Sequence, residues 1–219
     1  MPLTCDLVIY GAGGMGQEVA DLVTSLGCGV WNLVGFVDDD PALLGLDVLG
    51  LPVLGGVEWL SGRSVSLAVA LGTPAVRRRA WGALEFIGGY PAPSLVHPSA
   101  HVGRGCSVGE GTVIAAHAVL TADVIVGRLA IVNVGATVSH NCRLADFATV
   151  APGAHLAGNV HLGEGAEIGI GASIVQGKKV GEWSVVGAGA VVVDDVEANT
   201  TVVGCPAKVI ATRQLGWQK

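Results

Sequence analysis

Two short stretches hold residues able to do chemistry. The first is "VSHNC", residues 138–142. His140 is followed by Asn141, and Gly158 stands 18 positions beyond the histidine. Imidazole titrates near neutrality and can serve as a general base. A glycine beside it would leave space and an unshielded backbone N–H, a donor for a carbonyl oxygen. A base and a donor together are what acyl transfer needs. The pairing holds only if residues 18 apart are neighbours in space. The second stretch is "GAGGMG", Gly11 to Gly16, after an apolar run and before a helical pattern. Glycines in that place let a backbone approach a phosphate at a helix N-terminus. Asp38 and Asp39 end the next apolar run, where an acid can hold a ribose. Gly72 and Thr73 in "ALGTPAVR" offer a second loop of the same kind. Ligands bind at such strand ends.

The elements that must position these residues obey two different grammars. Residues 1–92 alternate apolar strand and amphipathic helix. "DLVIYGAG" reads as a strand and "GQEVADLVTSLG" as a helix stopped by glycine. "NLVGFVDDD" and "VSLAVALGT" read as two further strands, with "LPVLGGVEWL" as a short segment between them and "PAVRRRAWGALEF" as a second helix. This is a small, Rossmann-like parallel α/β unit. It is too short for a nicotinamide domain with a hydride-transfer site, so a nucleotide or nucleotide sugar is the better ligand.

From residue 93 to 219 the period changes. Every sixth residue from Val96 to Val192 is Val, Ile or Leu, seventeen hexads without a miss. The fifth place of each hexad is mostly small, as at Ala100, Cys106, Thr112 and Ala118. A period of six fits a parallel β-helix of hexapeptide repeats, with three flat sides per coil. Residues 18 apart then stack, so Gly158 lies one coil from His140, and Asp123 and Asn159 flank Asn141. His140 holds the third place of its hexad, away from the inward places. Asp123 has two readings: a solvated corner residue, or an acid that lends charge to His140 through or past Asn141. His117 is a reserve candidate for the base, and His97, His101, His155 and His161 are weaker ones.

Composition narrows the rest. The chain is 51% hydrophobic, but no stretch reaches the roughly 20 apolar residues of a membrane span. The opening "MPLTCDLVIYGAGG" lacks the basic region and long apolar core of a signal peptide, so a cytoplasmic protein without membrane insertion is expected. A net charge of −6 argues against nucleic-acid binding. The clusters "RRR" (77–79) and "GKK" (177–179) could meet a phosphate, though most of these side chains read as solvated surface. Five scattered cysteines without CxxC spacing indicate neither a disulfide framework nor a metal site.

Over nearly the whole chain, "IYGAGGMG", "GFVDDD", "ALGTPAVR", "IVNVGATVSHNC", "APGAHLAGNV", "GIGASI", "VVGAGAVVVDDV" and "VGCPAKVI" resemble the bacterial nucleotide-sugar acetyltransferases. That family includes the bacillosamine and perosamine N-acetyltransferases and the sialic acid O-acetyltransferases. The resemblance implies a left-handed sense for the β-helix, a homotrimer, and acetyl-CoA bound between adjacent subunits without a metal. It implies His140 as general base beside Asn141. It places the nucleotide amino-sugar on Gly11, Ala12, Gly13, Gly14, Met15, Asp38, Asp39, Gly72 and Asn133. It places acetyl-CoA on Thr149, Gly158, Ile170 and Ala188. The implied reaction is N-acetylation of a nucleotide-linked amino-deoxysugar for surface polysaccharide or glycan synthesis, with sugar O-acetylation as the alternative. Asn141 stands where the family often has Glu or Asp, Thr149 where a histidine occurs, and Met15 where the loop often has histidine. A neutral amide orients an imidazole but cannot raise its pKa by charge.

Overall fold

The computed structural model describes residues 5–86, 88–214, 216 and 217, so the first four residues of the opening stretch lie outside it. The chain divides into two compact units between Leu95 and Val96.

In the first unit, β1 (Cys5–Tyr10), β2 (Trp31–Val37) and β5 (Ser66–Val69) form a three-stranded parallel sheet in the order β2-β1-β5. Helices α1 (Gly14–Ser25) and α2 (Pro74–Phe86) follow β1 and β5, and a two-stranded hairpin of β3 (Asp47–Val48) and β4 (Leu51–Pro52) follows β2. The read segments thus become the expected elements. Leu7, Val8 and Ile9 of the central strand are wholly buried, since strands covered on both faces are apolar without alternation. Because all three strands run parallel, Gly11, Asp38 and Gly72 emerge at the same edge.

In the second unit the period of six becomes three parallel sheets wound as a β-helix. The first face stacks His101–Val102, Val119–Leu120, Thr137–Val138, His155–Leu156, Ser173–Ile174 and Val191–Val192. The second stacks Ser107–Val108, Ile125–Val126, Arg143–Leu144, His161–Leu162 and Lys179–Val180. The third runs from Leu95–Val96 through Val185–Val186 and ends on Thr200–Val203 and the antiparallel Lys208–Thr212. Paired residues on these faces are 18 apart, as Thr137 with His155 and Arg143 with His161. The spacing shortens at the last coil, where Val185 pairs with Thr201.

The inward residues form one core in which Leu120, Val138, Cys142, Leu144, Ala148 and Leu156 are essentially inaccessible. Truncating Leu144 to Ala would cost about 2–5 kcal/mol. Val102 departs from the inward pattern, with 37% of its surface exposed, because no complete coil lies beneath it.

From Gly105 to Gly189 the fourth place of every hexad is left-handed. At the corner between the first and second faces, Gly105, Asp123, Asn141, Asn159 and Gly177 have φ between +53° and +74°. Glycine, asparagine and aspartate tolerate that conformation best. The run of Asp and Asn at this corner is therefore first of all a requirement of the turn.

Candidate active site

His140 and Asn141 are the two turn residues of one coil at the corner of the first and second faces, and both are exposed. The left-handed backbone of Asn141 turns its amide back, and Asn141 Oδ1 lies 2.9 Å from His140 Nδ1. An amide oxygen only accepts, so Nδ1 carries the proton and Nε2 keeps its lone pair. That is the tautomer a general base needs. Asn141 is thus an orienting group without charge.

The imidazole lies over Gly158. A β-carbon built on Gly158 would come within 2.5 Å of both Nε2 and Cε1. Gly158 is buried under the ring, and its N–H makes no hydrogen bond among the described residues. The amides of Ala122, His140 and Gln176, at the same place of neighbouring coils, likewise make no hydrogen bond among the described residues, so the open N–H belongs to the turn, and Gly158 adds to it the lack of a side chain. The pairing expected from the 18-residue stack is therefore present, and closer than spacing alone could show.

Asp123 does not join this group. Its carboxylate points the other way, to Gly105, where a built β-carbon would meet Asp123 Oδ1 at 1.9 Å. The free space above that glycine decides the direction. Of the two readings of Asp123, the exposed corner residue is the one this geometry supports, and a charge lent to His140 is not. His117 stands on another corner, and His155 Nδ1 is engaged with Thr137 Oγ1 at 2.9 Å. Cys142 follows Asn141 but points inward, and burial raises its thiol pKa.

The residues expected to meet acetyl-CoA gather elsewhere. Ile170 and Ala188 stack at the corner between the third and first faces, above Val134 and Pro152. Ile170 is 62% exposed, a high value for an isoleucine on a folded surface. Thr149, on the third face, is buried, and Asn133 leads into the same corner, its Oδ1 accepting from Val134 N at 2.7 Å. One full face, up to about 20 Å of chain at 3.3 Å per residue, separates this group from His140. A single chain does not bring the two together.

In the first unit the glycines divide by role. Gly11 has φ +109°, and a β-carbon there would meet Ala70 O at 2.8 Å; at Gly16 it would meet Gly11 O at 1.9 Å. Those two serve the packing of loop, strand and helix. Gly13, Gly14 and Gly72 face open space, with no atom within 4 Å of a built β-carbon. Gly13 caps α1 without a side-chain bond, so the first-turn N–H groups of the helix are open to an anion.

Asp38 Oδ2 accepts from Ala12 N at 2.8 Å, and its Oδ1 from Asp40 N at 3.0 Å. Asp39 accepts from Tyr10 Oη and, at 2.9 Å, from Val57 N. Burial, then the Asp39 carboxylate, raise the Tyr10 pKa well above its ordinary value, so the phenol stays a donor. Both acids hold loops in place, and each keeps lone pairs for a ligand. They stand between two clefts, one of 490 Å³ lined by Asp40, Leu54, Glu58 and Trp59, the other of 420 Å³ lined by Tyr10, Leu71 and Arg79. Of the "RRR" cluster, Arg77 is no surface residue. It is fully buried and donates to Leu71 O at 2.6 Å and Gly72 O at 2.9 Å. Its only sequence signal was helical spacing, which puts residue 77 on the apolar face with Trp81 and Leu84.

Residues 6–84 match the family model of the PglD N-terminal domain. Among solved structures, the acetyltransferase domain of PglB from Neisseria gonorrhoeae is 38% identical, over 94% of this chain and 99% of that one, with a TM-score of 0.86. The chain belongs to this acetyltransferase family. The perosamine N-acetyltransferase PerB from Caulobacter crescentus, solved with CoA and GDP-perosamine, is 35% identical over 94% and 97%, with a TM-score of 0.86. WeeI from Acinetobacter baumannii is 31% identical over 94% and 100%, also at 0.86. Comparison with curated proteins returns no match. Among the described residues no helix is long and apolar enough to cross a membrane, and no His, Cys, Asp and Glu cluster could hold a metal ion.

Proposed function

We propose that this acyltransferase moves the acetyl group of acetyl-CoA to the amino group of a nucleotide-linked amino-deoxysugar. The observation that carries the reading is the His140 imidazole held by Asn141 at Nδ1 and seated over Gly158, with no hydrogen-bond partner for Nε2 among the described residues. The amine nitrogen attacks the thioester carbonyl while Nε2 takes its proton. The Gly158 N–H is the donor for the oxygen as it gains charge. The C–S bond then breaks, and the protonated imidazole returns the proton to the leaving thiolate. Amines are better nucleophiles than hydroxyls, and a base without an acidic partner suits the amine more than an O-acetylation.

The unit of residues 1–92 takes the nucleotide, with phosphates at Gly13, Gly14 and the start of α1, and ribose or base at Asp38, Asp39 and Gly72. The unit of residues 93–219 takes the thioester along Thr149, Ile170 and Ala188, with Asn133 facing the substrate. That the perosamine enzyme binds CoA and GDP-perosamine supports both assignments. Since the His140 corner and the Ile170–Ala188 corner lie a face apart, adjacent subunits of a homotrimer complete each site. Five free cysteines suit a reducing cytoplasm, where activated sugars for surface glycans are made.

The test is thiol release from acetyl-CoA against a panel of UDP-, GDP- and dTDP-linked amino-sugars and their hydroxyl counterparts. Turnover with an amino-sugar alone is expected. Turnover with a hydroxyl sugar alone would make the enzyme an O-acetyltransferase, and no thiol release with any sugar would sink the reading.

A further inference from the structure

The second face of the β-helix carries a charged column that the reaction above does not use. Arg143 pairs in register with His161, and His161 with Lys179, on three adjacent parallel strands. Arg143 and Lys179 are exposed and His161 is half-buried. Below Arg143 the same column continues as Ile125, so the basic run has a defined start. Neighbouring strands stand about 4.8 Å apart, so the two formal charges, on Arg143 and Lys179, are separated by the strand of His161. In a chain of net charge −6 an acid would be the ordinary partner. None of the three side chains has a hydrogen bond or ion pair among the described residues. Of the acids beside the column, Asp146 turns to Arg128 one coil away, at 3.0 Å, and Asp195 accepts from the backbone N–H of Lys179 at 2.9 Å.

The position of the column is specific. Arg143 follows His140 by three residues in one coil, and His161 follows Gly158 by three in the next. The column therefore begins level with the imidazole and rises past Gly158 on the adjoining face. From Arg143 to Lys179 it spans about 10 Å at the inter-strand spacing. That length suits an anion with more than one phosphate group rather than a single carboxylate. Arginine's planar fork and lysine's compact charge are the usual phosphate partners.

We propose that Arg143, His161 and Lys179 hold the phosphates of one of the two substrates while its other end reaches His140. The inference rests on the acetyl-transfer reading. The nucleotide's phosphates are placed at Gly13 and Gly14 above, so the phosphates of CoA are the source the column favours; the diphosphate of the nucleotide sugar shares the chemistry and, if it binds here, moves that placement.

The experiment titrates CoA, UDP and GDP calorimetrically into wild type, Arg143→Ala, Lys179→Ala and Arg143→Lys. It also measures KM for acetyl-CoA, for the nucleotide sugar and for the phosphate-free S-acetyl-N-acetylcysteamine. Each alanine variant should weaken one ligand class about 10-fold, as loss of a charged hydrogen bond does, with the other class and kcat within twofold and Arg143→Lys partly rescued. Weaker CoA with unchanged KM for the phosphate-free thioester assigns the column to CoA. Weaker UDP or GDP assigns it to the nucleotide sugar. Unchanged affinities for both, or equal loss for both, overturn the proposal. Unchanged affinities with an altered mass by light scattering make the column a subunit contact and also overturn it. Should wild type release no thiol with any sugar, the functional reading fails by itself, and the titrations still decide the column.

Discussion

The imidazole of His140 rests on Gly158, so closely that a β-carbon there would stand 2.5 Å from Nε2. Gly158 has no left-handed φ, so its backbone would accept alanine and the ring must be what moves. Gly158→Ala should lower kcat/KM on the order of 10²–10⁴-fold, as loss of a general base does, while the melting temperature stays near wild type. The double variant with His140→Ala should be no worse than His140→Ala, because both remove one function. Additive losses in steady-state kinetics would separate the two residues.

Asn141 supplies an oxygen to Nδ1 and no charge. Asn141→Asp keeps the acceptor, tolerates the left-handed backbone and adds a negative charge beside the ring. That charge favours the protonated imidazole, so the acidic limb of the kcat/KM profile should move to higher pH. Asp123→Asn should leave the limb where it is, since that carboxylate faces Gly105. A limb that moves in Asp123→Asn would restore the role denied to Asp123 here.

The open glycines of the first unit should respond differently from the packed ones. Gly13→Ala should leave the melting temperature nearly unchanged and raise KM for the nucleotide sugar about 10-fold, with KM for acetyl-CoA unaffected. Gly16→Ala should destabilise the protein by an overpacking cost of about 1–3 kcal/mol, because its β-carbon meets the Gly11 carbonyl. Thermal unfolding beside kinetics checks both. Equal KM effects on the two substrates would remove the glycine loop from the nucleotide site.

Tyr10 ties a strand end to Asp39, and its phenol pKa is raised in the folded state. A folded pKa above the unfolded one means stability that is complete below the ordinary tyrosine range and lost as pH climbs above it. Denaturant titrations should show stability falling above about pH 10, and Tyr10→Phe should flatten that fall. Tyr10→Phe should also cost about 1.5–3 kcal/mol at pH 7, the value of a hydrogen bond to a charged group. An unchanged slope in the variant would move the alkaline loss to other groups.

Much of the architecture follows from patterns that act over one or two turns of chain. An apolar residue at every sixth place from Val96 to Val192 admits one way of closing, with those side chains inward and residues 18 apart in register. Counting in 18s is enough to set Gly158 beside His140. The parallel order of β1, β2 and β5 likewise brings Gly11, Asp38 and Gly72 to one edge, as alternation of strand and helix requires.

What counting could not decide is the direction each corner side chain takes, because that depends on empty space a coil away. His140 lies toward Gly158 and Asp123 toward Gly105, each filling the room its stacked glycine leaves, while Asp146 turns to Arg128 and accepts from its N–H and guanidinium. Arg77 is the same lesson in the first unit: a basic run reads as surface, yet the carbonyls of Leu71 and Gly72 satisfy one of its charges in the interior. The sequence by itself determined the two units, the period, the stack and the place of His140 at a corner, because these depend on local geometry and repeated burial. The tertiary structure decided which groups meet the imidazole and which corner stands apart from it, because contacts across coils are set by shape and hydrogen bonding between residues distant in the chain.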